Sequence, residues 1–284
     1  MKSRTFIKHT KTERFNVGPF QVKQTLPTEN LQQVDPFLLI HHAGPSIHKA
    51  GELKARLSPH PHRGFEPVTF VINGKLHHKD SAGNEGFLQA GDVQWMTSGK
   101  GIIHSEGPSD AFAQEGGTME IIQLWVNLPR EHKMTEPKYQ DIKKEQIPVI
   151  SQDGFEINLI AGKYNDVNGP ASTFSPINAM MINFKEGART NIEIPGTYNV
   201  LIYVLGGTIE TNGTILEDLT LGVSNNDGDQ IALHGIRDGQ LLLLAGEPIN
   251  EPVASQGPFV MNYPGEIRQA MLDYQSGKMG MLDF

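Results

Sequence analysis

The stretch "VTFVINGKL", residues 68–76, is a short apolar, β-branched run closed by Asn73-Gly74, a dipeptide suited to the positive-φ turn of a β-hairpin. It has a counterpart in "LIYVLGGTI", residues 201–209, at an offset of 133. A second pair, "AGDVQWM" from Ala90 and "DGDQIAL" from Asp227, lies at an offset of 137. Similar offsets point to a duplicated unit with small loop changes. Other strand-length runs, "IIQLWVNL", "EINLIAG", "AMMINF" and "QLLLLAG", sit between Gly, Asn, Asp and Pro punctuation, as in a barrel or sandwich. The expected fold is all-β, with two antiparallel β-barrels over residues 1–135 and 136–284. The charged segment "PREHKMTEPKYQDIKKEQIP", 129–148, carries three prolines and no strand alternation, and reads as the connector. One short helix is expected near the C-terminus in "PGEIRQAMLDYQSG", packing through Ile267, Met271 and Tyr274, with Pro264 before it and Gly277 ending it.

Composition narrows the function. The net charge of −8, with scattered Lys and Arg, leaves no basic stripe to neutralise a phosphate backbone, so direct nucleic-acid binding is not expected. Cysteine is absent, which removes disulfides, thiolate nucleophiles and sulfur-ligated metals. The first residues lack the apolar core of a signal peptide, and no apolar run approaches the ~18 residues a membrane span needs. A cytoplasmic location without membrane attachment is the expectation.

The chemistry concentrates in "SPHPHRGFEPV", residues 58–68. In an extended chain His60 and His62 face one side together and Pro61 the other, and a proline there indicates an edge, a bulge or a strand start. Alone, an H-x-H is more often a surface or hydrogen-bonded pair than a ligand pair. Downstream, "WMTSGKGIIHSEGP" offers His104 and Glu106 at the same spacing. Three imidazoles and one carboxylate converging in a small barrel suit one first-row divalent ion and leave an octahedral metal two open positions. Ten of the eleven histidines lie at or before His132. The offsets map positions 60, 62, 104 and 106 roughly onto Glu193, Pro195, Leu241 and Leu243, so the second barrel is expected to lack the site.

Three segments, "DPFLLIHHAGP", "PHPHRGFEPVTFVINGKLHHKDSAGNEGFLQAGDVQWMTSGKGIIHSE" and "EPVASQGPFVMNYPGEIRQAMLDYQSGKMG", resemble signature segments of the pirin family, bicupins of the cupin superfamily, across nearly the whole chain. The resemblance implies an N-terminal cupin holding one metal through His60, His62, His104 and Glu106, with Fe(II) favoured over Mn, Ni, Co, Cu or Zn, and an empty C-terminal cupin. It also implies quercetin 2,3-dioxygenase activity on a flavonol and O2, and Glu106, a negative charge beside the metal, could then accept the flavonol hydroxyl proton and serve as general base as well as ligand. The alternative is a non-enzymatic, metal-dependent regulator of a protein partner such as a transcription factor or metabolic enzyme. A zinc isomerase or hydrolase fits less well, because a sulfur-free donor set with a carboxylate suits iron or manganese better.

Other cupins take a carboxylate ligand from the first motif, and Glu66, four residues after His62, has the matching parity. It stands as a rival ligand or as a group supporting the metal site. His41 and His42, in "LLIHHAGP", could line the entrance or hydrogen-bond a ligand, His42 being the second candidate for that supporting role, set against a loop histidine satisfied by backbone. His77 and His78 follow the hairpin turn, so at most one faces the interior, and both read as structural. Gly99, Lys100 and Gly101 lack P-loop spacing and read as a tight turn delivering His104. Trp95 and Met96 are either core or the wall of a site for a flat organic substrate.

Overall fold

The computed structural model describes residues 1–10, 12–53 and 55–283. Among the described residues antiparallel strands dominate, with two α-helices, Asp110–Glu115 and Pro264–Gln275, and neither helix is long and apolar enough to cross a membrane. The chain forms two compact units, but a single cut at residue 135 does not separate them. One unit gathers Met1–Thr12, Thr28–Pro36 and Glu145–Ile249, and the other Glu13–Pro27, Phe37–Lys144 and Asn250–Phe284. Both ends of the chain are tied down by contacts that sequence distance conceals. Strand Phe6–His9 pairs with Leu221–Ser224, and the buried Arg4 guanidinium donates to the carbonyls of Pro195, Tyr198 and Gly228. At the other end, Val260 N donates to Arg63 O, and Arg63 Nη1 pairs with Asp273 Oδ2 at 2.9 Å.

The unit containing Glu145–Ile249 is built on a nine-stranded sheet in which Asn199–Thr211 and Gln230–Gly246 are long neighbours and Arg189–Glu193 adds to the first half of Gln230–Gly246. Ile, Leu, Val, Met and Phe side chains from these strands fill its interior as one apolar cluster.

The other unit sets a seven-stranded sheet beside a four-stranded one. The larger sheet runs Lys138–Ile142, Val93–Thr97, Phe65–Asn73, Gly117–Asn127, Phe37–His48, Phe20–Leu26 and Glu13–Val17. The smaller runs His60–His62, Ile102–Pro108, Lys75–Asp80 and Glu85–Gln89. The proline-rich segment read as a connector therefore contributes a strand, Lys138–Ile142, hydrogen-bonded to Val93–Thr97. Its letters do not announce a strand because Ile142 is the one buried residue among Lys138–Ile142 and no inward–outward alternation marks the rest.

The C-terminal helix starts at Pro264, as its pyrrolidine φ favours, but its face is rotated from the expected one. Ile267, Ala270 and Asp273 are buried and Tyr274 is exposed. Asp273 takes an inward position because Arg63, Gln269 and Lys278 donate to its carboxylate, pulling its pKa below the ordinary value.

Candidate metal centre

Register brings the site together. In the four-stranded sheet, Ile102–Pro108 lies between His60–His62 and Lys75–Asp80, with Cα partners His104 and His60 on one side, and His104 and Asp80, Glu106 and His78 on the other. Directly paired residues of an antiparallel ladder share a face, and so do residues two apart. His60, His62, His78, Asp80, His104 and Glu106 therefore all project from the same face. The imidazoles crowd together, with ring centroids of His60 and His104 4.3 Å apart, and of His62 and His104 4.9 Å apart.

Two donor clusters result, each with ligand atoms within 4.8 Å of one another: His60, His62 and His104, and His78, His104 and Glu106. His104 belongs to both. Burial, reinforced by neighbouring imidazoles, holds His62 and His104 well below the ordinary histidine pKa, so both rings are neutral donors. His62 Nδ1 lies 3.4 Å from Pro258 O, which suits a protonated Nδ1 and a free Nε2. The His104 Nε2 atom is buried without a hydrogen-bond partner. A buried polar atom left bare costs free energy unless something ligates it. A sulfur-free set of neutral imidazoles with a carboxylate fits a divalent first-row ion.

The cluster opens into a cavity of about 260 Å³, lined by His60, His62 and Glu106 and by the apolar walls Phe20, Val22, Leu76, Ile121 and Trp125. This volume lies just below the usual range for small-molecule sites and suits a compact, flat ligand. Gln123 and His41 add polar edges, and Gly257 and Pro258 close one side. Trp125 packs against Phe65 with centroids 4.2 Å apart and against His62 at 5.5 Å, so the wall and the donors brace each other.

Two expected supporting residues lie elsewhere. Glu66 pairs with Val126, whereas Trp125, which lines the cavity, pairs with Pro67, so Glu66 is on the opposite face of the sheet. Parity counted from His62 fails because Gly64 interrupts the strand at φ +86, where an added Cβ would meet Val260 O at 2.0 Å. Glu66 accepts a hydrogen bond from Thr97 Oγ1 at 2.7 Å, and burial pushes its pKa up to about 7. His42 likewise pairs with Ile122 on the face away from the cavity and meets Glu120 Oε1 at 3.1 Å. Its neighbour His41 lines the cavity, with Nε2 2.7 Å from Gln24 Oε1 and a pKa lowered to about 4 by burial.

Trp95 and Glu66 share the face opposite the cavity, so Trp95 is core and the site aromatic is Trp125. The alternation Ile121, Gln123, Trp125 could have revealed it. Of the hairpin histidines, His77 stacks on Phe87, whereas His78 is buried beside His104 and so is more than the structural residue its place after the turn implies. Gly99 and Gly101 adopt φ of +46 and +127 in the turn before Ile102–Pro108.

The second unit shows what the same fold does without the donors. Gly74 and Gly207 both take positive φ in the matched stretches, so Leu76 corresponds to Ile209. Leu76 pairs with Pro108 and Ile209 with Gly235, which makes Ile231 and Leu233 the equivalents of His104 and Glu106. Ile231 pairs with Ile192, so Ile192 and Ile194 replace His60 and His62. All four are members of one apolar core cluster. Of the positions mapped from the sequence, Glu193 and Pro195 fall one residue past Ile192 and Ile194, whereas Leu241 and Leu243 are far displaced because the match of "AGDVQWM" to "DGDQIAL" was out of register: Trp95 pairs with Val68, and Val223 with its counterpart Leu201.

Comparison with known proteins agrees with this architecture. The family described as Pirin matches residues 19–126, and the Pirin C-terminal cupin domain matches residues 179–280. Pirin-1 of Arabidopsis thaliana is 38% identical over 87% of this chain and 84% of its own. The crystal structure of a quercetin 2,3-dioxygenase from Acinetobacter baumannii superposes with a TM-score of 0.93 at 38% identity, covering 99% of this chain and 100% of that one. The bacterial pirin YhhW of Escherichia coli, solved in complex with nickel(II), shares the fold with a TM-score of 0.67 at 20% identity, over 86% of this chain and 100% of its own.

Proposed function

The chain belongs to the pirin family, and from that premise we propose that it is a metal-dependent dioxygenase that opens the ring of quercetin-like flavonols with O2. The observation that carries this reading is the meeting of His60, His62 and Glu106 with an aromatic-walled cavity at one surface. His60, His62, His104 and Glu106 would hold one divalent ion, Fe(II) in this reading, with Mn, Ni, Co, Cu or Zn as alternatives. When bound, that ion would supply the Lewis acidity and redox chemistry that O2-dependent ring cleavage requires.

The chain's own groups supply the rest. Trp125, Phe20 and Val22 exclude water and orient a planar ring system by apolar contact. Glu106 lines the same cavity and accepts the proton of the flavonol 3-hydroxyl at a carboxylate oxygen, acting as general base. The Gln123 carboxamide at the cavity edge offers hydrogen bonds to substrate oxygens.

The test is quercetin turnover by protein loaded separately with Fe(II), Mn(II) and Ni(II). Loss of flavonol absorbance with matching O2 uptake is expected, and Glu106→Gln should lower kcat by about 10²–10⁴-fold. If every loaded form leaves quercetin untouched while a protein partner is captured only by metal-loaded protein, the regulatory reading replaces this one.

A further inference from the structure

We propose that Asp80 and His78 are positioning residues for the metal centre: through a hydrogen-bonded chain, Asp80–His78–His104, they fix the tautomer of His104 and leave its Nε2 as the bare donor. The proposal rests on the reading of His104 as a ligand and adds to it the groups that prepare it.

The chain of contacts runs in one direction. Asp80 sits at the end of strand Lys75–Asp80, and Oδ1 accepts from Ala82 N, Asn84 N and Asn84 Nδ2 at 3.0–3.1 Å, so the carboxylate is anchored by its own turn. Its other oxygen, Oδ2, lies 3.4 Å from His78 Nε2. A carboxylate only accepts, so His78 carries a proton on Nε2, and as a neutral imidazole it presents a bare Nδ1. That Nδ1 lies 3.4 Å from His104 Nδ1. Two bare nitrogens would repel, so His104 carries its proton on Nδ1 and donates it to His78, which leaves Nε2 unprotonated. Nε2 is the atom that is buried without a partner. Every proton position thus follows from the acceptor-only carboxylate at the far end.

The surroundings make the arrangement rigid. His78 and Asp80 are buried, and the Tyr139 ring stacks on His78 with centroids 4.8 Å apart and planes 15° from parallel. Tyr139 reaches this position over Gly86, the cross-strand partner of His78, where an added Cβ would meet the phenol oxygen at 1.8 Å. Strand Lys138–Ile142 and the glycine of strand Glu85–Gln89 therefore hold the middle imidazole flat against its neighbour. Ligating histidines are commonly oriented by a hydrogen bond from the non-ligating nitrogen, and losing such a partner costs metal affinity.

The test separates this role from a structural one. Long-range ¹H–¹⁵N spectra of metal-free protein labelled at histidine report each ring's tautomer, and His104 is expected with its proton on Nδ1. His78→Phe keeps the stack on Tyr139 but removes the acceptor, so His104 should become a tautomer mixture and Ni(II) affinity, measured by calorimetry, should fall about 10–100-fold. His78→Gln, whose Oε1 can accept the same hydrogen bond, should recover most of that loss. Asp80→Ala removes the anchor and gives an independent reading if His78→Phe does not fold. The proposal is overturned if wild-type His104 is protonated on Nε2, or if neither His78→Phe nor Asp80→Ala changes Ni(II) affinity. It is also overturned if the Cu(II)-loaded protein loses one coordinating nitrogen in His78→Phe, since His78 would then be a ligand. If wild-type protein binds no Ni(II) while the tautomer is as stated, the metal reading fails and the hydrogen-bonded chain stands.

Discussion

One barrel places His60, His62, His104 and Glu106 where the other places Ile192, Ile194, Ile231 and Leu233. The ladders carrying the two sets correspond strand for strand, so the backbone demands neither. The contrast shows that a barrel interior of this kind is stable when filled with apolar side chains, and that a polar cluster is retained at the expense of core packing. The first barrel compensates by opening its cluster to a cavity and satisfying its remaining polar atoms through His78, Asp80 and Pro258.

The strongest way to break the comparison is to exchange one matched residue. Leu233→Glu puts an unpaired carboxylate into a packed core and should cost more than about 4 kcal/mol at pH 8, read as a shift of the urea midpoint. The reciprocal Glu106→Leu removes a charge from a cavity wall and should change stability by less than about 1 kcal/mol while reducing metal uptake. Equal costs for the two would show that the barrels do not differ as described.

Truncation should reveal the same asymmetry on a smaller scale. Ile192→Ala leaves a void among fully buried neighbours and should cost about 3 kcal/mol, whereas His60→Ala, at a half-buried cavity edge, should cost less than about 1 kcal/mol.

Metal should distinguish the barrels without any substitution. Ni(II) at about 100 times its Kd should stabilise the first barrel by about 2.7 kcal/mol, seen as slower amide exchange in Lys75–Asp80 and Ile102–Pro108. Exchange in Gln230–Gly246 should be unmoved, and a chelator should reverse the effect.

The smallest effect concerns Glu66, which lies in the first barrel but off its site. Its folded pKa, about 7, is above the 4.5 of the free side chain, so its protonated form favours the fold. The contribution of Glu66 to stability should therefore be fully present below pH 4.5, be lost as pH rises through 7, and stay lost above. Glu66→Gln keeps an acceptor for Thr97 and has no charge to bury, so it should match wild type at pH 4 and exceed it by about 2 kcal/mol at pH 8. A constant difference across that range would refute the assignment.

Much of the centre was legible because it is local. His60 with His62, and His104 with Glu106, are pairs two residues apart on strands, and a period of two places each pair on one face whatever the rest of the chain does. Glu66 was misassigned because Gly64 breaks that period, and nothing in the letters shows where a left-handed glycine resets the count. His78, Tyr139 and Pro258 were invisible because their relation to the donors depends on strand pairing and on a segment nearly 200 residues from His62 in sequence.

By itself the sequence determined the all-β class, the duplication, the sulfur-free donors and their confinement to the first half, since these follow from composition, periodicity and repeats, each a local property. The three-dimensional structure alone decided which residues share a face across strands, which histidine of each adjacent pair turns inward, and that Gly257 and Pro258 close a site whose donors begin at His60. Those outcomes depend on register and long-range packing, where a shift of one residue reverses every side chain and no neighbouring letter records the choice.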